Sequence, residues 1–129
     1  MQWIVGLFFI LHGIGHVMGF LASWTPVPVG FSDAPWLLGT DVRMKSPSGR
    51  VWGLLWAIAA FGWVAAGILV ISGGDWQQRA IYSAVLSMAA ILPWWRAIPT
   101  GPKLAILVDI AVLAALVPPW GQQVVDWIG

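Results

Sequence analysis

Residues 3–24 read WIVGLFFILHGIGHVMGFLASW, an apolar segment without Asp, Glu, Lys or Arg. About 20 consecutive apolar residues suffice for a helix to cross the hydrocarbon core of a bilayer. The segment therefore predicts a transmembrane helix, and it is too long for the apolar core of a cleaved signal peptide. Its histidines, His12 and His16, are the only two in the chain and stand four residues apart. A helix would place both imidazoles on one face.

The composition of the whole chain agrees with this first segment. Of the 129 residues, 60% are hydrophobic and 9% are charged, whereas soluble domains carry about 25% charged residues. We predict one all-α transmembrane domain spanning residues 1–129. The net charge of +1 offers no basic face for nucleic acid. The absence of cysteine excludes disulfides, thiolate metal sites and cysteine nucleophiles.

Four helices are predicted, at residues 3–24, 51–72, 78–97 and 103–117. Pro118-Pro119 ends the last of them, because proline cannot continue a helix. Gly-rich and Pro-rich turns at residues 72–75 and 99–102 make successive helices antiparallel neighbours, so the arrangement expected is an up-down four-helix bundle. The long link between residues 25 and 50, with a helix cap at Ser48, is interpreted either as an irregular loop or as a lid on the membrane surface.

The positive charges are unevenly distributed between the two ends of these helices. Arg79 stands alone at one end, and the other five Lys and Arg residues lie at the opposite end. The positive-inside rule then predicts that both termini lie outside and that the first and third loops are cytoplasmic. The five are Arg43, Lys45, Arg50, Arg96 and Lys103.

Two of the eleven tryptophans lie deeper than the interfacial positions that tryptophan favours in membranes. Trp56 and Trp63 are seven residues apart and share one face of the second helix. One interpretation is that they face lipid or pack against other helices. The other is that they form the wall of a site for a flat lipophilic ligand.

Besides the two histidines, Asp109 is a further polar residue within a predicted apolar helix, the fourth. At 1.5 Å per residue, His16 lies about 20 Å from the outer end of its helix, and Asp109 lies about 9 Å from the inner end of the fourth. Across an apolar thickness of about 30 Å, the two side chains come to a similar depth. We therefore expect a His12/His16/Asp109 cluster in which His16 is closer to Asp109 than His12 is.

Several functions remain open for such a cluster. Two imidazoles and a carboxylate are a common ligand set for Zn²⁺ and Fe²⁺. A haem would use one histidine and take its second axial ligand from Met88, water or another subunit. Proton transfer to a lipophilic redox cofactor, or a small transporter, is the third class. In a purely structural role the histidines would hydrogen-bond to neighbouring helices, as in an accessory subunit of a larger membrane complex.

Gly15 and Gly19 form a GxxxG pattern on the histidine helix. Small residues at this spacing allow close helix contacts, either within one chain or in a homodimer. These glycines would also leave room beside the imidazoles for a lipophilic small molecule. Asp109 would then act as a metal ligand or as the acceptor that orients an imidazole.

The motif LHGIGHVMGF, residues 11–20, resembles the start of small bacterial four-helix membrane proteins broadly similar to the DoxX-like families. The resemblance rests on His12, Gly13 and His16, on the chain length, and on Gly101-Pro102-Lys103 before the fourth helix. It implies a four-helix membrane fold in a bacterial inner (plasma) membrane. DoxX-type proteins are associated with quinone-linked oxidation of sulfur compounds, which implies an oxidoreductase-like or accessory role. The chain departs from a redox-enzyme pattern in having no cysteine.

Overall fold

A computed structural model describes residues 1–39 and 41–129. The regular elements in these ranges are all helical, which confirms the all-α class for this part of the chain. A short 3₁₀ turn, Leu92–Trp94, follows the third α-helix. The five α-helices are α1 (Gln2–Trp24), α2 (Pro47–Ser72), α3 (Gln77–Ile91), α4 (Thr100–Leu116) and α5 (Gly121–Ile128).

Two helices, α1 and α2, are each long and apolar enough to cross a membrane. Together, α4 and α5 would make a third span, although the chain bends by 103° at the break between them. By length and composition, the described residues thus contain two or three candidate spans. Large apolar side chains are exposed along α1, α2 and α4, a pattern suited to lipid rather than water. Both observations indicate a membrane protein.

The third helix is shorter than the predicted range 78–97. It ends at Ile91, and the chain continues as the 3₁₀ turn. Pro93 explains the early end, because proline has no backbone N–H and its ring clashes with the carbonyl one turn earlier. Beyond the end of the helix, the Pro93 carbonyl accepts a hydrogen bond from the Leu37 backbone N–H at 2.7 Å.

Close approach between α1 and α2 depends on glycine. A Cβ atom on Gly67 would lie 2.5 Å from the Gly6 carbonyl oxygen, and one on Gly19 would lie 2.0 Å from Cδ2 of Trp56. The contacts run in opposite directions along the two helices, so α1 and α2 are antiparallel. Gly19 therefore serves packing within the chain, whereas a Cβ on Gly15 would meet nothing within 4 Å in the described part of the chain.

The link after α1 has no regular secondary structure in its described residues, as the irregular-loop interpretation expected. It nevertheless packs across the end of the helices: the Ser32 N–H donates to the Ala97 carbonyl at 2.8 Å, and the Trp36 ring lies 5.3 Å from that of Trp52. The cap of α2 is Ser46, whose hydroxyl accepts from the Gly49 N–H at 3.2 Å, rather than Ser48. Pro47 favours this earlier start, because its fixed φ suits the first helical position.

The last helix, α5, was not predicted from the sequence. It follows Pro118-Pro119 and begins at Gly121, where a Cβ would lie 2.1 Å from the Leu116 carbonyl oxygen. Glycine is therefore needed for the sharp turn. The exposed Trp120 directly precedes this short helix and the exposed Trp127 lies in its last turn, in keeping with the preference of tryptophan for membrane interfaces.

Candidate functional site

The predicted cluster is present between α1 and α4. His12 Nε2 lies 3.2 Å from Asp109 Oδ1. One ligand atom from each of His12, His16 and Asp109 lies within 4.8 Å of the other two. Asp109 and His16 are buried, at 0% and 2% exposed, and His12 is partly buried. Three residues from distant parts of the sequence thus form one possible metal-binding group.

Ser87 on α3 completes the cluster and was missed from the sequence. Its hydroxyl donates to Asp109 Oδ2 at 2.5 Å, and its Oγ lies 2.9 Å from His16 Nε2. Since the Ser87 proton points to the carboxylate, the Ser87 oxygen accepts from the Nε2–H of His16. The result is one chain of hydrogen bonds, from His12 to Asp109 to Ser87 to His16. The available signal was the spacing of Ser83 and Ser87, which places two polar groups on one face of α3.

The expected order of the two histidines was wrong. His12, not His16, contacts Asp109 directly, and His16 reaches it through Ser87. The reason is that α4 begins at Thr100 rather than at Lys103. Three further residues at the start move Asp109 about 4.5 Å along the helix axis, towards the level of His12.

Trp63 and Trp56 each pack against one of the two imidazoles. Both are fully buried, so of the interpretation that they face lipid or pack against other helices, the packing alternative is the one observed. The Trp63 ring stands edge-on to His12, with centroids 4.8 Å apart, and the Trp56 ring stands edge-on to His16 at 5.7 Å. Edge-to-face packing restricts the rotation of both imidazoles. The indole N–H groups of Trp56 and Trp63 are buried without an acceptor among the described residues.

A cleft of about 300 Å³ lies between α1 and α4 and reaches the histidines. Trp56 also lines it. Gly15 and Gly101 border this cleft. A Cβ atom added to either glycine would have no described atom within 4 Å. The remaining lining side chains are apolar. They are Leu11, Met18, Pro102, Leu104, Ala105 and Val108.

Met88, the candidate second axial ligand of a haem, packs elsewhere. It lies against the apolar cluster that contains Trp94 and Ile98. The Nε2 atoms of both histidines point to Asp109 and Ser87, which fill the space next to them. This geometry favours a small ion over a porphyrin at the imidazole Nε2 atoms.

No protein-family model matches the chain, and no characterised protein or solved structure matches it either. The resemblance to DoxX-like proteins therefore stays a prediction based on His12, Gly13 and His16. One fold can host many functions, so the geometry of the cluster is the better guide to function.

Removing the Ser87 hydroxyl is expected to weaken the domain measurably. Ser87→Ala leaves Asp109 Oδ2 and His16 Nε2 each without a partner, and interhelical hydrogen bonds in membranes contribute about 0.6 kcal/mol each and rarely above about 1.7. We expect a loss of about 1 to 2 kcal/mol in the free energy of unfolding, measured by titration with denaturing detergent.

Ser83→Ala is the matched control one helical turn away. Its hydroxyl donates to the Arg79 carbonyl of its own helix at 2.7 Å, so its removal should change stability by no more than about 0.5 kcal/mol. Equal effects of the two substitutions would contradict the proposed hydrogen-bond chain.

Proposed function

We propose that the chain is a four-helix integral membrane protein that binds a divalent transition metal at His12, His16 and Asp109. The observation that carries the proposal is the convergence of three ligand atoms to within 4.8 Å of one another. Two imidazoles and one carboxylate suit Zn²⁺ or Fe²⁺. Burial within the helices makes the cluster costly to keep without a function.

Small movements would complete the coordination. With metal–ligand bonds of about 2.1 Å, the ligand atoms around a tetrahedral ion lie roughly 3.4 Å apart. His12 Nε2 and Asp109 Oδ1, at 3.2 Å, already have this separation. The His16 imidazole would leave Ser87 and approach the other two ligand atoms by up to about 1.4 Å, and its hydrogen bond would be replaced by a metal bond. Ser87 would keep its hydrogen bond to Asp109 and so orient the ligating carboxylate.

The fourth coordination position would face the cleft. Sites with three protein ligands and an open position are typical of catalytic metals, whereas structural zinc sites are closed by four protein ligands. An oxidoreductase-like role would use an iron ion at this position, and a Lewis-acid role would use zinc. Both roles require that the ligand or substrate enter through the cleft.

A structural role is the second candidate, and one observation favours it. Within the described residues, each member of the cluster already has a hydrogen-bond partner. Such a network could hold α1, α3 and α4 together without a ligand, as in an accessory subunit of a membrane complex. The two candidates differ in whether stability depends on metal.

The test is the metal content and metal-dependent stability of the purified protein. The protein is stripped with a chelator, loaded with Zn²⁺ or anaerobically with Fe²⁺, freed of excess metal and analysed. We expect one ion per chain and a higher melting temperature, because a ligand that binds the folded state stabilises it. His12→Ala and His16→Ala should each abolish both effects.

The structural candidate predicts a different pattern. Each histidine substitution would then cost about 0.6 kcal/mol, and at most about 2, whether or not metal is added. If both variants retained the metal content and melting shift of the unsubstituted protein, the proposed metal site would be wrong. The exposed control Tyr82→Phe on α3 should leave both quantities unchanged.

We also propose that both termini lie on the outer side of a bacterial inner membrane, since five of the six Lys and Arg residues lie at the opposite helix ends. A periplasm-active reporter fused after Gly129 should be active, and a cytoplasm-active reporter at the same position should be silent. The reverse pattern would contradict this topology. A fusion within the loop at Gly73-Gly74, expected on the same outer side, serves as the control.

A further inference from the structure

The cleft between α1 and α4 changes from apolar at its rim to polar at its floor. Exposed Leu11 and Leu104 form the rim. His12, His16 and Trp56 are the polar lining side chains. In a bilayer the rim would face lipid chains, so a molecule dissolved in the membrane would enter sideways without crossing water.

A second pocket lies beside the cleft along α4, towards α5. Its volume is about 250 Å³, and Val108 lines both spaces. From Gly101 to Ala115 the combined seam follows α4 for about 21 Å. This length accommodates a long hydrocarbon chain. The lining of the second pocket is apolar and comprises Phe8, Phe9, Trp76, Val108, Ala111, Val112, Ala115, Leu116, Val124 and Ile128.

The three polar residues that line the cleft, His12, His16 and Trp56, carry both a donor and acceptors. The buried indole N–H of Trp56 has no acceptor among the described residues, although buried donors are usually paired. Nε2 of His12 is directed to Asp109 and Nε2 of His16 to Ser87, so in the Nε2–H tautomer Nδ1 of each imidazole is an acceptor. A hydroxyl group both donates and accepts, and one hydroxyl can therefore satisfy both kinds of group.

We infer that the cleft binds an uncharged single-chain lipid with a hydroxyl head, of the class of the long-chain alcohols. The hydroxyl lies between Trp56 and the imidazoles, and the chain runs past Val108 into the apolar pocket. An anionic head is disfavoured, because the carboxylate of Asp109 lies beside the imidazoles. The site goes beyond the proposed metal binding and does not require the metal.

Photolabelling tests this inference. The full-length protein, stripped of metal, is placed in phosphatidylcholine nanodiscs with a long-chain alcohol that carries a diazirine and an alkyne, and labelled peptides are mapped by mass spectrometry. We expect saturable labelling of α1 and α4 that excess unlabelled alcohol displaces. The fatty acid and the hydrocarbon of the same chain length should label about tenfold less. The carboxylate of the fatty acid cannot donate a hydrogen bond to the imidazoles, and the hydrocarbon makes no hydrogen bond at all.

Substitutions in the cleft separate specific binding from solvation by lipid. Gly15→Phe fills the space beside the imidazoles without a clash at Cβ, and we expect labelling to fall about tenfold or more. Leu7→Phe, on the exposed side of α1 and outside both pockets, should leave it unchanged. Gly101→Phe blocks the same cleft from α4 and replaces Gly15→Phe if that variant fails to fold.

Trp56→Phe removes the indole N–H and should weaken labelling by the alcohol but not the weak labelling by the hydrocarbon. Equal labelling by all three probes, or unchanged labelling after Gly15→Phe and Gly101→Phe, would overturn the inference. The two proposals fail separately: loss of metal binding with intact alcohol labelling contradicts the metal site alone. Full metal content without saturable labelling contradicts the lipid site alone.

Discussion

The Gly19→Val substitution is expected to destabilise the domain by about 3 kcal/mol or more, whereas Gly15→Val should leave its stability nearly unchanged. A Cβ at position 19 would lie 2.0 Å from Cδ2 and 2.3 Å from Cε3 of Trp56. Trp56 is fully buried, so it cannot turn away without moving its neighbours. At position 15 the same atom would have nothing within 4 Å in the described chain.

The pair is well matched, because both positions lie in α1 and both variants carry the same β-branched side chain with the same helix propensity. Unfolding by denaturing detergent, followed by tryptophan fluorescence, measures the difference. Equal losses at the two positions would contradict the α1/α2 packing. A large loss confined to Gly15→Val would instead favour the homodimer interpretation of the GxxxG pattern.

Asp109→Asn is expected to lower metal affinity by more than about 100-fold. Losing an outer partner that merely orients a ligand costs about 10- to 100-fold, and the proposed site makes Asp109 a ligand itself. The change keeps the size of the side chain and one carbonyl oxygen, so it removes the negative charge with little change in volume. Titration of the stripped protein with Zn²⁺, followed by the rise in melting temperature, measures the affinity.

Asp126→Asn is the control for general loss of charge. Asp126 is exposed on α5 and accepts a hydrogen bond from Gln122 at 2.8 Å, so its substitution should leave the affinity unchanged. A fall of only about 10- to 100-fold for Asp109→Asn would assign Asp109 the role of orienting His12. Unchanged affinity would remove Asp109 from the metal site altogether.

The helical class and the first two helices could be predicted from the sequence because they depend on local properties. Apolar residues continue through residues 3–24 and 51–72, and length and hydropathy alone predict spanning helices there. The His12/His16 face follows from helical spacing in the same way. Asp109 joined the prediction because a carboxylate in an apolar helix needs a polar partner at a similar depth.

Features that depend on where a helix ends, or on how one helix packs against another, were predicted less accurately from the sequence. The start of α4 at Thr100 shifted Asp109 by less than one helical turn, and this was enough to exchange the roles of His12 and His16. Ser87 was missed because serine occurs in many apolar helices without a site, and its importance follows only from its contacts with Asp109 and His16. The burial of Trp56 against Gly19 likewise depends on how α1 and α2 pack.

X-ray absorption spectroscopy of the zinc-loaded protein tests the central claim most directly. We expect a first shell of nitrogen and oxygen at about 2.0 to 2.2 Å, with the outer scattering of two imidazoles. His16→Ala and His12→Ala should each lack this spectrum. A first shell of oxygen alone, without imidazole scattering, would show that any bound zinc lies elsewhere and would contradict the account.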